Sequence, residues 1–172
     1  MKIPQILKER AALLEEYYSV HYKPLAPLVR QCFLNTIETT VKELEDGSYF
    51  VITGDIPAMW LRDSAAQVRP YVRFAKEDGE LQAILEGIIE KQAGLVCIDP
   101  YANAFNESAN GASGYQDETK QNDHVWERKY EVDSLCAPLY LAYTYWKTTG
   151  GDRIFTETFH DMLTHIVGIF TL

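Results

Sequence analysis

Apolar residues recur at helical spacing along most of this chain, and one long polar stretch breaks the pattern. That alternation constrains the fold more than any other feature, because a 3.6-residue apolar period specifies a helix with one buried face. Ile6, Leu7, Leu14, Tyr17 and Tyr18 mark a first helix after Pro4. Pro24 opens a second, whose stripe runs through Leu25, Leu28, Val29, Cys32, Phe33, Thr36, Ile37, Val41 and Leu44 until Asp46-Gly47 ends it. Tyr49, Phe50, Val51 and Ile52 are strand formers, so residues 48–53 read as a short extended piece. A third helix starts near Leu61, and Pro70 should kink or split it. Leu81, Ile84, Leu85, Ile88 and Ile89 give a fourth, stopping at Gly94. Val132, Leu135, Leu139, Tyr140, Tyr143 and Trp146 give a fifth, closed by Gly150-Gly151. Asp152 can cap a sixth carrying Ile154, Phe155, Phe159, Met162, Leu163, Ile166, Val167 and Phe170. The expected fold class is all-α, about six helices in three hairpins, in one unit over residues 1–172.

The break lies at residues 97–129. It holds Asn103, Asn106, Asn110, Gly111, Ser113, Gly114, Asp117, Asn122 and Asp123. A loop of that length inside a helical domain is functional or disordered. Tyr101, Phe105, Tyr115 and Trp126 argue against disorder, which avoids aromatics.

Composition narrows the function. Of 172 residues, 47% are apolar, enough for a sizeable core. The net charge of −9 comes with no basic stripe, so neither nucleic acid nor anionic lipid is an expected partner. Cys32, Cys97 and Cys136 are odd in number and lack Cys-x-x-Cys spacing, which argues against a disulfide framework or structural zinc. The first residues lead into a charged helix and no run of 18 apolar residues occurs, so a signal peptide and a membrane span are not expected and a cytoplasmic location is. On that reading the Asn106-Glu107-Ser108 sequon is a chance match.

The chemistry concentrates at Thr53-Gly54-Asp55-Ile56-Pro57-Ala58-Met59-Trp60-Leu61-Arg62-Asp63. A Gly and a Pro shape a loop, and a Trp and an adjacent Arg-Asp pair stand at the helix entry beyond it. A Trp face stacks on the apolar face of a pyranose. A guanidinium and a carboxylate make charge-assisted hydrogen bonds to neighbouring hydroxyls. The residues alone also allow a plainer reading: Arg62 and Asp63 as a structural ion pair or cap, and Trp60 as core packing. Glu131 and Asp133, at i and i+2, cannot share one helical face; with Ser134 they either cap and charge the start of the fifth helix or contribute one carboxylate to a site, Asp133 in preference. His124, in the polar loop before Trp126, is either a surface residue or a substrate contact. No His, Asp or Glu cluster has metal-ligand spacing, so neither a metal nor another cofactor is expected. Gly111-Ala112-Ser113-Gly114 lacks the Gly-Lys-Ser/Thr of a phosphate loop.

Three ordered blocks carry a resemblance. They are residues 53–71, then Cys97-Ile98-Asp99-Pro100-Tyr101-Ala102-Asn103-Ala104-Phe105-Asn106, then Trp126-Glu127-Arg128-Lys129-Tyr130-Glu131-Val132-Asp133-Ser134-Leu135-Cys136. Together they resemble the metal-independent exo-α-1,6-mannosidases of glycoside hydrolase family 125, from about Leu25 onward. The resemblance implies an (α/α)6 barrel of about twelve helices, of which six would be the N-terminal half, and an inverting glycoside hydrolase acting on a mannose-containing glycan. It implies that Arg62, Asp63 and Asp133 serve the terminal-sugar pocket, as Arg-Asp pairs do at such helix starts in related barrels; Trp60 and His124 join them as candidate substrate contacts on their polar, loop-rich setting. It places both catalytic carboxyls in the C-terminal half, so no catalytic residue is assigned here. The final Gly168-Ile169-Phe170-Thr171-Leu172 is apolar without a C-cap residue, which gives the expectation of an inactive N-terminal part that self-associates through uncovered faces. The rival expectations are a non-catalytic carbohydrate-binding remnant and a helical scaffold without ligand.

Overall fold

Residues 2–115, 118 and 120–171 are described by the structure, a computed structural model. Six α-helices carry the architecture: α1 (Gln5–His21), α2 (Ala26–Asn35), α3 (Leu61–Ala75), α4 (Gly79–Ile98), α5 (Val132–Thr149) and α6 (Glu157–Phe170). They run along the chain as three helix pairs joined by short turns. Packing also runs between pairs: α3 lies chiefly against α5, and α4 against α6. Helices α3 and α4 also meet each other, and α4 touches α5, so the four helices form one packed body.

The core grows out of the sequence stripes. Val68 and Val72 of α3, Ile84, Leu85, Ile88 and Ile89 of α4, Leu141 and Tyr145 of α5, and Met162 and Ile166 of α6 are all buried in one cluster. Each large side chain removed from water contributes about 1.5–3 kcal/mol. Among the caps, Asp78 Oδ1 accepts from the Leu81 amide at 2.9 Å at the start of α4, and Thr156 Oγ1 accepts from the Phe159 amide at 3.1 Å at the start of α6. Pro70 does not split α3, which runs unbroken past it.

The structure corrects four boundaries. The second helical stripe does not reach Leu44. Helix α2 ends at Asn35, one π turn spans Thr36–Thr40, and the chain then turns extended as β1 (Val41–Glu43), antiparallel to β2 (Tyr49–Val51). The run from Thr36 to Val41 is β-branched at every position but Glu38, which weakens a helix and favours a strand once a partner is at hand. Helix α4 continues through Gly94 to Ile98, held by Ala93, Leu95 and Val96 in the core. Thr156, not Asp152, caps α6, so Ile154 and Phe155 precede that helix.

The fourth correction matters most for function. Residues 97–129 are not one irregular loop. Two short strands in it, β4 (Ala104–Phe105) and β5 (Val125–Glu127), pair antiparallel with each other, and β4 pairs with β3 (Met59–Trp60). Met59, Phe105 and Val125 stack on one face and are buried. The register slips at Ala104/Phe105, leaving Trp126 as the extra residue of a bulge. Asn106 ties the segment after β4 to the one before β5. Its side-chain amide donates to the carbonyls of Ala112 at 2.8 Å and Asp123 at 3.1 Å, and its backbone amide to His124 O at 2.7 Å. The sequon asparagine is therefore a buried structural bracket. Asp117 lies outside the described residues.

Candidate functional site

The three-stranded sheet joins the three sequence blocks at one place. Strand β3 enters directly into α3, so Trp60 is its last residue and Arg62 sits in the first turn of the helix. The Leu61 amide donates to Asn103 O at 3.1 Å, and the Asn103 amide to Glu127 O at 3.1 Å. These bonds fix the start of α3 against β4 and the end of β5. Just beyond β5 the chain reaches Glu131, the N-cap of α5.

Arg62 is the centre of the arrangement. Its Nη1 donates to Glu131 Oε2 at 3.0 Å and to Asp133 Oδ2 at 3.2 Å, while Nη2 lies 3.4 Å from Asp63 Oδ2. Glu131 also receives Lys129 Nζ on Oε1 at 3.0 Å and the Ser134 hydroxyl on Oε2 at 3.3 Å. The hydrogen bond from Lys129 holds the Glu131 carboxyl below the usual range against the opposing effect of burial, with the Arg62 charge adding to it. Partial burial works against the Arg62 charge, but the Asp133 hydrogen bond and the three carboxylates outweigh it and hold the guanidinium above its ordinary value. Both side chains stay charged at neutral pH.

Glu131 and Asp133 reach the same guanidinium although they are only two residues apart. They need not share a helical face, because Glu131 is extended at φ −136°, ψ 119° and only Asp133 is inside the helix. Glu131 makes no side-chain cap bond at the start of α5, and Asp133 turns to Arg62. Asp63 is likewise not the cap of α3; Trp60 is its N-cap and has no side-chain cap bond. The cap readings are thus set aside, and the carboxylates stand around Arg62.

The structure therefore brings Arg62, Asp63 and Asp133 into contact, with Trp60 half-buried at the neighbouring backbone position. His124 is also half-buried, but none of the described side-chain contacts joins it to this cluster; its amide donates to Asn122 Oδ1 at 2.9 Å. Asn103 and Glu127 are site neighbours that sequence reasoning missed. Asn103 is buried, donates its side-chain amide to Glu127 Oε2 at 2.9 Å, and has an Oδ1 without a hydrogen-bond partner among the described residues. A polar residue between Ala102 and Ala104, in a stretch buried on both sides, was the available signal. Chemically, the cluster offers carboxylate acceptors and guanidinium and ammonium donors around a half-buried indole. That set suits a polyhydroxylated ligand. Among the described residues, no three His, Cys, Asp or Glu side chains are grouped to hold a metal ion.

Comparison with known proteins decides the family. The sequence model of the metal-independent α-mannosidases of glycoside hydrolase family 125 matches residues 23–172. The chain belongs to this family. It is similar to a solved Streptococcus pneumoniae metal-independent α-mannosidase, held in a non-productive complex with α-1,6-mannobiose, at 45% identity and a TM-score of 0.91, over 97% of this chain and 39% of that one. The fold is accordingly that of part of an (α/α)6 barrel. The chain is also 40% identical to the meiotically up-regulated gene 157 protein of Schizosaccharomyces pombe, over 77% of its own length and 28% of that protein. It thus spans well under half the length of these two relatives.

Proposed function

We propose that this chain supplies the terminal-mannose side of the site of an inverting exo-α-1,6-mannosidase, with the acid and base carboxyls contributed from outside residues 1–172. The observation that carries the reading is the Arg62 guanidinium ringed by Asp63, Glu131 and Asp133 from α3 and the start of α5. The likeness to an enzyme solved with α-1,6-mannobiose supplies the ligand class. Arg62 donates to one pair of sugar hydroxyls, Asp63 and Asp133 accept from others, and Trp60 offers its ring. A hydroxyl that bonds a charged partner contributes roughly 1.5–3 kcal/mol, so two or three such bonds give measurable affinity.

Calorimetric titration with methyl α-mannoside and α-1,6-mannobiose tests this. Both ligands should bind the purified chain, and Arg62→Ala should abolish binding of both. The same preparation should release no mannose from α-1,6-mannobiose, since an inverting mechanism needs two carboxyls roughly 6.5–9.5 Å apart across the bond. Absence of binding by a folded chain refutes the sugar-site assignment; turnover refutes the assignment of acid and base elsewhere.

A further inference from the structure

The buried face of α4 carries a polar side chain. Leu85, Ile88 and Ile89 form its apolar stripe, and Gln92 holds the next position of that stripe, fully buried. Every other buried residue of α4 is apolar. A Met or Leu would fill the place without taking an amide out of water, which costs free energy unless the amide is bonded. What the Gln92 amide bonds is therefore informative. Its Nε2 donates to Ser64 Oγ at 2.7 Å and to Leu61 O at 3.3 Å, across 28 and 31 residues of sequence. Ser64, itself buried, donates its hydroxyl to Leu61 O at 3.1 Å. Gln92 Oε1 has no hydrogen-bond partner among the described residues, so the Nε2 bonds are the ones that hold the side chain.

We propose that Gln92 is a positioning residue for the sugar site: acting with Ser64, it fixes the first turn of α3 and so aims the Arg62 guanidinium. The inference rests on the terminal-mannose reading of Arg62 and adds the residue that orients it.

The first turn of α3 has need of such a support. Trp60, its N-cap, makes no side-chain cap bond. The backbone groups of a helix start must then find partners elsewhere. Leu61 finds them on both sides. Its amide donates to Asn103 O at 3.1 Å, and its carbonyl receives Gln92 and Ser64. Its side chain is fully buried. The peptide between β3 and α3 is thereby pinned from the β4 side and from α4 at once.

Arg62 is the next residue. More than two-fifths of its side chain is exposed, so packing does not fix its direction. The backbone does, together with the bonds to Glu131 at 3.0 Å and Asp133 at 3.2 Å. Successive helix residues turn by about 100°, so a rotation of the Leu61 peptide swings the whole Arg62 side chain. Hydrogen bonds weaken steeply once misaligned. A side chain in the core thus sets geometry at the exposed cluster without touching a ligand.

The test compares Gln92→Met with Ile84→Val. The first keeps length and bulk and removes the amide. The second, about two turns earlier on α4, loosens the same core and leaves the Leu61 bonds in place. Three readings are taken: affinity for methyl α-mannoside by calorimetric titration, the denaturant midpoint, and the Arg62 Nε–H magnetic resonance signal, assigned by its absence from Arg62→Ala. Gln92→Met should bind roughly tenfold more weakly, the worth of one hydrogen bond to a charged group, and should shift the Arg62 signal. Ile84→Val should lower the midpoint and change neither affinity nor signal. Equal affinity losses in the two variants, or either reading unchanged in Gln92→Met, make Gln92 a packing residue and overturn the proposal. If Gln92→Met does not fold, Ser64→Ala removes the hydroxyl between Gln92 and Leu61 and is judged by the same two readings. Failure of the unsubstituted chain to bind methyl α-mannoside refutes the terminal-mannose reading, and the role in sugar binding falls with it. Binding by the unsubstituted chain, matched by Gln92→Met, leaves that reading standing and refutes this inference alone.

Discussion

Nη1 of Arg62 lies 3.0 Å from Oε2 of Glu131, across 69 residues of sequence. This bond ties the first turn of α3 to the cap of α5, the two helices that pack against each other. Glu131 is one-fifth exposed and Arg62 more than two-fifths, so solvent screens the pair and its worth in stability is modest, about 0.2–1 kcal/mol. Its larger consequence is orientation of the guanidinium.

Glu131 gives a pH signature. Its carboxyl is held below 4.5 in the folded chain, first by the Lys129 hydrogen bond. A lowered carboxyl pKa stabilises the fold above the unfolded value and loses that contribution as pH falls through the folded one. The stability difference between the wild-type chain and Glu131→Gln should be constant at neutral pH and close as the pH drops below 4.5. A gap that widens on acidification contradicts this.

Asp63 should matter for ligand more than for folding. Its ion pair is with Arg62, at 3.4 Å, and it is not the cap of α3. Asp63→Ala should change unfolding free energy by less than about 0.5 kcal/mol, because a partly solvated ion pair contributes little. Affinity for methyl α-mannoside should fall about 10- to 150-fold. A large drop in melting temperature with unchanged affinity would make Asp63 a structural partner of Arg62 instead.

Tyr145 should be a stability residue. Its ring is fully buried and its hydroxyl donates to Glu86 Oε1 at 2.5 Å, beside the Glu86–Arg153 ion pair. Burial first, then the Glu86 acceptor, pushes its pKa up to about 12. A raised phenol pKa stabilises the fold below the unfolded value near 10, and the contribution is lost as pH rises through about 12. Tyr145→Phe should cost about 1–3 kcal/mol at neutral pH by leaving Glu86 short of a donor. Denaturant unfolding measures the loss, and the penalty should shrink in strong alkali.

Gly87 tests the seat of the β1–β2 hairpin on α4. A Cβ there would lie 2.5 Å from Tyr49 Cδ2. Gly87→Ala should destabilise by about 1–3 kcal/mol through overpacking. In a Tyr49→Ala background the same substitution should stabilise by roughly 0.5–1 kcal/mol, because Ala suits a helix interior better than Gly. Equal effects in both backgrounds would show that the ring moves freely.

Self-association is expected of the isolated chain. Leu13, Tyr17, Val20 and Leu28 are exposed on α1 and α2, as are Tyr143 and Trp146 on α5, Phe155 before α6, and Val167 and Phe170 on α6. Phe159, Met162 and Ile166, by contrast, are buried. Large apolar side chains left in water favour association where they cluster. Sedimentation should find oligomers and a hydrophobic dye should bind; a compact monomer that binds no dye refutes the expectation.

The sequence by itself determined the six helices, since each buries a stripe whose 3.6-residue period can be read without a partner. It also determined the family, from three ordered blocks, and drew attention to Arg62, Asp63 and Asp133. It could not determine anything that needed a second segment to exist. Val41–Glu43 reads as helix until β2 offers a hydrogen-bonding edge. Residues 97–129 read as loop because strands of two and three residues have no period of their own and become strands only when β3 and β4 give them an edge to pair with. Asn103 and Glu127 gain their importance from a bond across 24 residues. Glu131 and Asp133 meet at Arg62 because one stands outside the helix and the other inside it, a difference of backbone conformation that residue spacing does not encode. Local periodicity fixes which segments are helical; only tertiary packing decides which side chains converge, because convergence is set by distances between segments far apart in the chain.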